Sequence, residues 1–121
     1  MSGARGDPIE GTVLIATAAK ASVGPDRLPR LVDRVQASLA GRREEYARRY
    51  ERVYESADYE AFFVENDHWR TLGAELGLGE RETDAVRRAH HEQLLRDGRE
   101  QGCEEEFRTA LEIRDCVVIG T

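Results

Sequence analysis

Histidine and glutamate at helical spacing are the first candidates for metal chemistry in this sequence. Glu65 and His68 have the Glu-x-x-His spacing that di-iron helical bundles use for their ligands. Such a site needs a second pair of this kind, but the residues three positions before His90 and His91 are arginines. Adjacent histidines also point to different faces of a helix. We therefore predict that the protein has no metal site.

Nucleophile and cofactor motifs are also missing from the sequence. Cys103 and Cys116 lack the Cys-x-x-Cys spacing of zinc sites, and two cysteines cannot form a disulfide scaffold. Gly77 and Gly79 follow a predicted helix rather than a strand, and the third glycine of a dinucleotide fingerprint is absent. No phosphate loop or nucleophile elbow is present. The sequence thus predicts a protein that is not an enzyme, with no cofactor and no small-molecule substrate.

Arginine and tyrosine cluster in a segment that we predict to be a long helix. Tyr46, Tyr50 and Tyr54 are spaced i, i+4 and i+8, which places them on one helix face, and Arg42 and Arg49 flank them. Arginines on phosphates and tyrosines stacked on bases would make this stripe a nucleic-acid surface. A near-heptad stripe also suits a dimer seam, and the tyrosines could instead pack against other helices of the chain. These five residues are the candidate interaction surface.

The segment from Trp69 to Arg88, WRTLGAELGLGERETDAVRR, has the pattern of a helical hairpin. The residues expected to hold the hairpin together are Trp69, Leu72, Leu76, Gly77, Leu78 and Val86. The segment resembles the helix-turn-helix of DNA-binding proteins, except that Thr83 stands where a branched apolar residue is usual. This resemblance makes Arg81 and Arg88 candidate DNA contacts.

Two other interpretations of the same segment remain open. It also resembles the hairpin of the death fold, in which these residues form core and the surfaces bind proteins. Any helical hairpin with a tight glycine turn needs the same residue types. The exposed face of the second helix carries Glu80 and Asp84 beside its arginines, and the stretch 67–92 holds six acidic and four basic residues. Because DNA affinity depends largely on phosphate neutralisation, this charge disfavours DNA binding.

The elements that must position these residues are predicted to be helices, because apolar residues recur at spacings of three and four. The predicted helices run over 10–23, 26–56, 59–64, 68–76 and 80–96, and a last one starts near 104. Gly41 interrupts the apolar stripe of this segment and could kink the helix or split it in two, but we expect one long helix. Val117 to Ile119 are either the buried end of the last helix or a short strand. Residues 1–8 are expected to be disordered.

This pattern predicts an all-α fold: a compact bundle of five to six helices with one long central helix and a helix-turn-helix-like hairpin. A chain of 121 residues suits a single helical domain over 1–121. Leucine, isoleucine, valine and phenylalanine number 26, so the core is thin and a partner subunit could complete it. No apolar run approaches the roughly 20 residues that span a membrane, and no secretory signal is visible. We therefore expect a cytoplasmic protein.

Composition and three segments suggest a source, whereas the hairpin, its acidic outer face and the arginine–tyrosine stripe suggest a kind of function. The chain carries 17 arginines and one lysine against 24 acidic residues, with a formal net charge of −6. With the segments TVLIATAAKA, PDRLPRLVDRV and HWRTLGAELGL, it resembles uncharacterised small helical proteins of halophilic archaea. The resemblance implies an all-helical cytoplasmic protein and no established activity. We expect a small regulatory or adaptor module that contacts a protein partner or a second copy of itself. The alternative is a helix-turn-helix transcriptional regulator that binds DNA.

Overall fold

A computed structural model describes residues 5–121, and this part of the chain contains both helices and strands. The elements described are α1 (Gly11–Ala21), α2 (Arg27–Ala40), α3 (Arg43–Arg49), β1 (Glu51–Glu55), β2 (Tyr59–Val64), α4 (His68–Glu75), α5 (Glu80–Gln101), α6 (Glu104–Ala110) and β3 (Asp115–Gly120). The strands form an antiparallel sheet in the order β1-β2-β3. Helix α5 contacts α1, α2, α4, α6 and β3, and so organises the packing. None of the described helices is long and apolar enough to cross a membrane.

The all-α prediction is wrong, because three segments of the chain form a β-sheet. The helix predicted over 59–64 is strand β2, which is the central strand and is buried along almost its whole length. A short apolar run has no periodicity that separates a strand from a buried helix. The adjacent aromatic residues Phe62 and Phe63 favour the strand. The fold is therefore a mixture of helices and an antiparallel sheet.

The long central helix predicted over 26–56 is also wrong, since this segment forms α2, α3 and β1. Helix α2 ends at Gly41, where the apolar stripe lapses. Tyr50 ends α3 with an extended backbone, φ −128° and ψ 160°, and β1 begins at the next residue. Val53 and Tyr54 have side chains that suit a strand. After Tyr50 the chain therefore pairs with β2 as strand β1 and does not continue as a helix.

Val117 to Ile119, for which the sequence left helix and strand open, belong to strand β3. It pairs antiparallel with β2, with Val117 opposite Phe62 and Val118 opposite Ala61. An edge strand such as β3 presents a row of backbone N–H and C=O groups that need partners. In this protein, side chains form hydrogen bonds with the backbone N–H and C=O groups at the outer edge of β3.

Trp69 and His90 bind the first part of the outer edge of β3. The indole Nε1 of Trp69 donates to the carbonyl oxygen of Cys116 at 2.8 Å, and the backbone N–H of Val118 donates to Nδ1 of His90 at 2.9 Å. Both side chains are buried, and their rings meet edge to face with centroids 4.7 Å apart. These contacts fix α4 and α5 to the strand.

Gln36 of α2 binds the second part of this edge. Its Nε2 donates to the carbonyl oxygen of Val118 at 2.7 Å, and its Oε1 accepts the N–H of Gly120 at 2.9 Å. At the start of the strand, the N–H of Cys116 donates to the carboxylate of Asp115 at 3.3 Å. These side chains supply the partners that a fourth strand would give, so this edge is closed to a further strand.

The N-terminal segment packs against α2 where the structure describes it. Residues 1–4 of the segment expected to be disordered lie outside the described part of the chain. The N–H of Gly6 donates to the Asp33 carboxylate at 2.8 Å, and Ile9 is buried. Residues 5–8 therefore lie against α2, next to the groove described below.

A contact between Gly73 and Thr83 sets the distance between α4 and α5. A Cβ atom at Gly73 would lie 2.8 Å from Cγ2 of Thr83 and would also meet its hydroxyl. The side chain of Thr83 fills the space left open by this glycine. The two residues therefore act as a matched pair.

We expect Gly73→Ala to lower the free energy of unfolding by about 1–3 kcal/mol, because the added methyl group overpacks this contact. Urea denaturation followed by circular dichroism measures the change. Thr83→Ala in the same chain removes the clashing methyl and hydroxyl groups and should restore part of the loss. A double variant no more stable than Gly73→Ala would contradict this explanation.

Candidate functional site

A groove of about 850 Å³ opens between the N-terminal segment and the C-terminal half of α5. Helix α2, the turn between β1 and β2, and the end of β3 complete its walls. A volume of this size suits a drug-sized molecule or a short stretch of peptide. Six acidic side chains line it: Asp7, Glu10, Asp33, Asp58, Asp97 and Glu100.

The groove has a strongly negative charge. No arginine or lysine of the described residues belongs to its lining. Arg5 and Arg96 reach only its rim, where they pair with Asp33 at 3.2 Å and with Glu10 at 3.1 Å. The other four carboxylates form no salt bridge within residues 5–121. The groove therefore keeps an uncompensated negative charge.

A hydrogen-bond network forms the inner wall of the groove. The hydroxyl of Tyr59 donates to Oδ1 of Asp97 at 2.7 Å. The Nε2 of Gln93 lies 2.9 Å from Oε2 of Glu10, 3.2 Å from the Tyr59 hydroxyl and 3.4 Å from Asp97 Oδ1. The Oε1 of Gln93 accepts the backbone N–H of Glu10 at 2.8 Å. These bonds tie the start of α1 to α5 and β2.

Asp97 is the most deeply buried carboxylate of the groove. Its residue surface is 2% exposed, and its second oxygen, Oδ2, accepts no hydrogen bond from the residues that the structure describes. Burial raises the pKa of Asp97 above its ordinary value, in spite of the bonds from Tyr59 and Gln93. A buried carboxylate with a free oxygen carries a desolvation cost that a bound cation would relieve.

Two tyrosines form an aromatic wall beside this carboxylate. The rings of Tyr54 from β1 and Tyr59 from β2 stack with centroids 5.4 Å apart and planes inclined by 29°. Burial raises the pKa of both phenols, so both remain neutral at ordinary pH. Aromatic faces and carboxylates both attract positive charge. The arrangement is therefore chemically suited to a cation.

The residues of the candidate interaction surface do not share one face. Four of them lie on or beside α3, whereas Tyr54 lies on β1 and lines the groove. Tyr46 is fully buried, and its hydroxyl lies 2.6 Å from Nε2 of His68. Burial raises the pKa of Tyr46 to about 12, which suits a packing residue. The tyrosines therefore do not form a continuous stripe at the surface.

Glu65 and His68 orient the tyrosines of α3. Nδ1 of His68 and the hydroxyl of Tyr50 each lie 3.1 Å from the same oxygen of Glu65. A cleft of about 180 Å³ lies beside these groups, much smaller than the acidic groove. The Glu-x-x-His pair thus has tyrosines as its neighbours.

Arg42 and Arg49 are neutralised at the edge of this cleft. They share Glu45 as a salt-bridge partner, at 3.4 and 3.3 Å. Their guanidinium groups lie over the rings of Tyr46 and Tyr50, 5.5 and 5.4 Å from the centroids. The predicted arginine–tyrosine surface is therefore mostly engaged in contacts within the chain.

The hairpin residues predicted from the sequence lie on α4, in the turn that follows it and on α5. Trp69, Leu72 and Val86 are buried, Leu76 and Leu78 are half-buried, and Gly77 has a φ of +72°. A positive φ suits glycine in the turn between the helices.

The arginines predicted as DNA contacts lie on a surface of mixed charge. Arg88 forms a salt bridge with Asp84 at 2.8 Å, and Arg87 pairs with the same carboxylate at 2.8 Å. Arg81 is exposed and follows Glu80 directly. The neighbouring acids lower the positive potential that a phosphate backbone needs.

The other two histidines contribute to the packing of α5. His90 is fully buried against β3, and burial lowers its pKa to about 3. His91 pairs with the buried carboxylate of Asp115. Within residues 5–121, no three histidine, cysteine, aspartate or glutamate side chains converge in a way that could hold a metal ion.

Sequence reasoning missed the groove because its residues come from separate parts of the chain. Glu10, Tyr59 and Asp97 meet on the inner wall only after the helices and the sheet have packed together. One signal is available in the sequence: Gln93 and Asp97 stand four residues apart on the buried face of α5. Polar residues at core positions need partners, so this spacing indicates a buried polar site.

Comparison with known proteins shows a family match over nearly the whole chain. No curated protein and no solved structure matches the chain. Residues 7–121 match a family described as Domain of unknown function (DUF8048). The matched region contains all the described helices and strands and the six acidic residues of the groove. Since the match spans nearly the whole chain, the protein belongs to this family.

Proposed function

We propose that the protein is a non-enzymatic regulatory or adaptor module that binds a positively charged segment of a partner protein in its acidic groove. The observation that carries the proposal is the groove of about 850 Å³ with six acidic side chains and no arginine or lysine in its described lining. Opposite charge raises the rate of encounter and excludes partners of the same charge. The proposal keeps the cytoplasmic location expected from the sequence.

A partner protein suits the structure better than a second copy of the chain. The expected dimer seam required Tyr46 at the surface, but Tyr46 is fully buried. The free edge of β1 carries the charged residues Glu51, Arg52 and Glu55, and its register is irregular between Arg52 and Tyr54. Charges and bulges of this kind protect an edge strand from pairing with another chain.

The proposal does not extend to DNA. A helix-turn-helix regulator would need a positive surface at the start of α5, where Asp84 pairs with both Arg87 and Arg88. The uncompensated charge of the groove also has the sign that repels phosphate. The DNA-binding alternative therefore serves as a competing outcome of the experiment below.

The experiment is a fluorescence anisotropy titration of the protein into a labelled peptide of alternating lysine and serine. We expect binding that weakens as salt is added, because surface charges are screened over about 10 Å at 0.1 M salt. A glutamate–serine peptide is the matched control and should not bind. Circular dichroism verifies folding at each salt concentration, including the high salt that a halophilic protein would require.

Two charge reversals locate the binding site. Glu100 lines the groove, and Glu112 is an exposed acidic residue that does not line it. We expect Glu100→Lys to weaken peptide binding by about tenfold, which is about 1.4 kcal/mol, and Glu112→Lys to have little effect. Equal effects of the two reversals would show that only net charge matters and would contradict binding in the groove. Binding of duplex DNA instead of the peptide would favour the helix-turn-helix alternative.

A further inference from the structure

We infer that the inner end of the groove is a pocket for one primary ammonium group, the side chain of a lysine that anchors the partner segment, because a buried carboxylate with a free oxygen lies there beside two stacked tyrosines. This inference rests on the proposed function and names the residue type of the partner that the groove recognises. Asp97 supplies the carboxylate, and Tyr54 and Tyr59 supply the rings.

The two oxygens of Asp97 have different surroundings. Oδ1 accepts the hydroxyl of Tyr59 at 2.7 Å and lies 3.4 Å from Nε2 of Gln93. Oδ2 has no donor among residues 5–121. Asp97 nevertheless lines the groove, and only 2% of its surface is exposed. Buried polar atoms are nearly always hydrogen-bonded in folded proteins. The free oxygen therefore lacks a donor that a bound ammonium group would supply.

The free oxygen favours an ammonium over a guanidinium group. Arginine binds carboxylates best through two parallel N–H···O bonds, one to each oxygen. In Asp97, Oδ1 already accepts the Tyr59 hydroxyl and lies near Nε2 of Gln93, so it offers less to a second parallel bond than Oδ2 does. A lysine ammonium is compact and needs only a single oxygen from each acceptor. The pocket is thus matched to lysine.

The surroundings of Asp97 add negative charge and an aromatic face. Glu10 lies on the same network through Gln93, and Glu100 lines the groove one helical turn further along α5. The stacked rings of Tyr54 and Tyr59 stand beside the carboxylate and suit the methylene groups and the ammonium of a lysine side chain.

The test compares lysine–serine and arginine–serine peptides of equal charge on the wild-type protein and on Asp97→Asn. We expect the lysine peptide to bind the wild type at least about tenfold more tightly than the arginine peptide. Asp97→Asn should abolish this preference, whereas Glu112→Gln, an exposed site outside the groove, should keep it. An acetyl-lysine peptide should bind the wild type no better than the arginine peptide.

A stability measurement separates this role from a structural one. Asp97→Asn removes a buried charge that the chain does not neutralise, so we expect the melting temperature of the variant to equal or exceed that of the wild type. A purely structural carboxylate would give the opposite result. If the variant does not fold, the anchor role of Asp97 is rejected, because that result identifies Asp97 as a structural residue.

The outcomes separate this inference from the proposed function. Equal binding of both peptides to the wild type would overturn the lysine pocket and leave the groove as a general site for positive charge. An unchanged preference in Asp97→Asn would also overturn it. Binding of neither peptide would overturn both the pocket and the proposed function.

Discussion

Replacement of Trp69 by alanine is expected to destabilise the domain by about 3–5 kcal/mol. The indole is 2% exposed, contacts the ring of His90 edge to face, and donates to the carbonyl oxygen of Cys116. The variant loses this packing and leaves a carbonyl of the edge strand without a donor. Since domains of this size are stable by roughly 5–15 kcal/mol, the loss is a large share of the total. Urea denaturation followed by far-ultraviolet circular dichroism measures it.

Trp69→Phe is the matched control. It keeps an aromatic ring in the core but removes the N–H that binds Cys116. We expect a loss of about 1–3 kcal/mol, clearly smaller than that of the alanine variant. A loss under about 1 kcal/mol for Trp69→Ala would contradict the account of the edge of β3.

Acid is expected to destabilise the protein through His90. The native pKa of His90 is about 3, because the ring is fully buried, whereas a histidine in the unfolded chain has a pKa near 6.5. Between about pH 6.5 and pH 3, His90 is therefore protonated in the unfolded state but stays neutral in the native state. The free energy of unfolding should fall by up to about 1.4 kcal/mol per pH unit between pH 6.5 and pH 3. At higher pH both states are neutral at this residue, and its contribution does not change.

His90→Asn isolates this effect. The amide oxygen of asparagine can accept the N–H of Val118, as Nδ1 of His90 does, but it does not titrate. The variant should be less stable at neutral pH, because it leaves space in the core, and should lose less stability between pH 6.5 and pH 5. Carboxylates titrate mainly below this window. An identical slope in both proteins between these pH values would contradict the assignment.

Much of the helical structure could be predicted from the sequence, and the sheet could not. The boundaries predicted at 68–76 and the start predicted at 80 lie within one residue of α4 and α5. The end predicted at 96 is wrong, because α5 continues through Gly98 to Gln101. The strands depend on partners that are distant in the chain: Phe62 pairs with Val117 across more than fifty residues. Short segments with local apolar residues carry no information about such pairing.

The candidate site also depends on contacts between distant segments, which local sequence spacing does not predict. Tyr46 and Tyr50 follow the predicted helical spacing, and their rings lie 5.3 Å apart on α3. Tyr54 departs from it because the chain becomes extended after Tyr50, which carries its side chain to the groove. The groove needs α5 and the sheet in contact, so its chemistry could not be predicted from local spacing.

The most direct test of the central claim is a nuclear magnetic resonance titration of the isotope-labelled protein with the lysine–serine peptide. Binding in the acidic groove predicts that the backbone amide signals of Tyr59, Asp97, Gly120 and Thr121 shift together and saturate, since all four residues line it. Amides at the start of α5, including Arg81, should stay in place. Shifts confined to that helix start, or no shifts in a folded sample at low salt, would contradict the account.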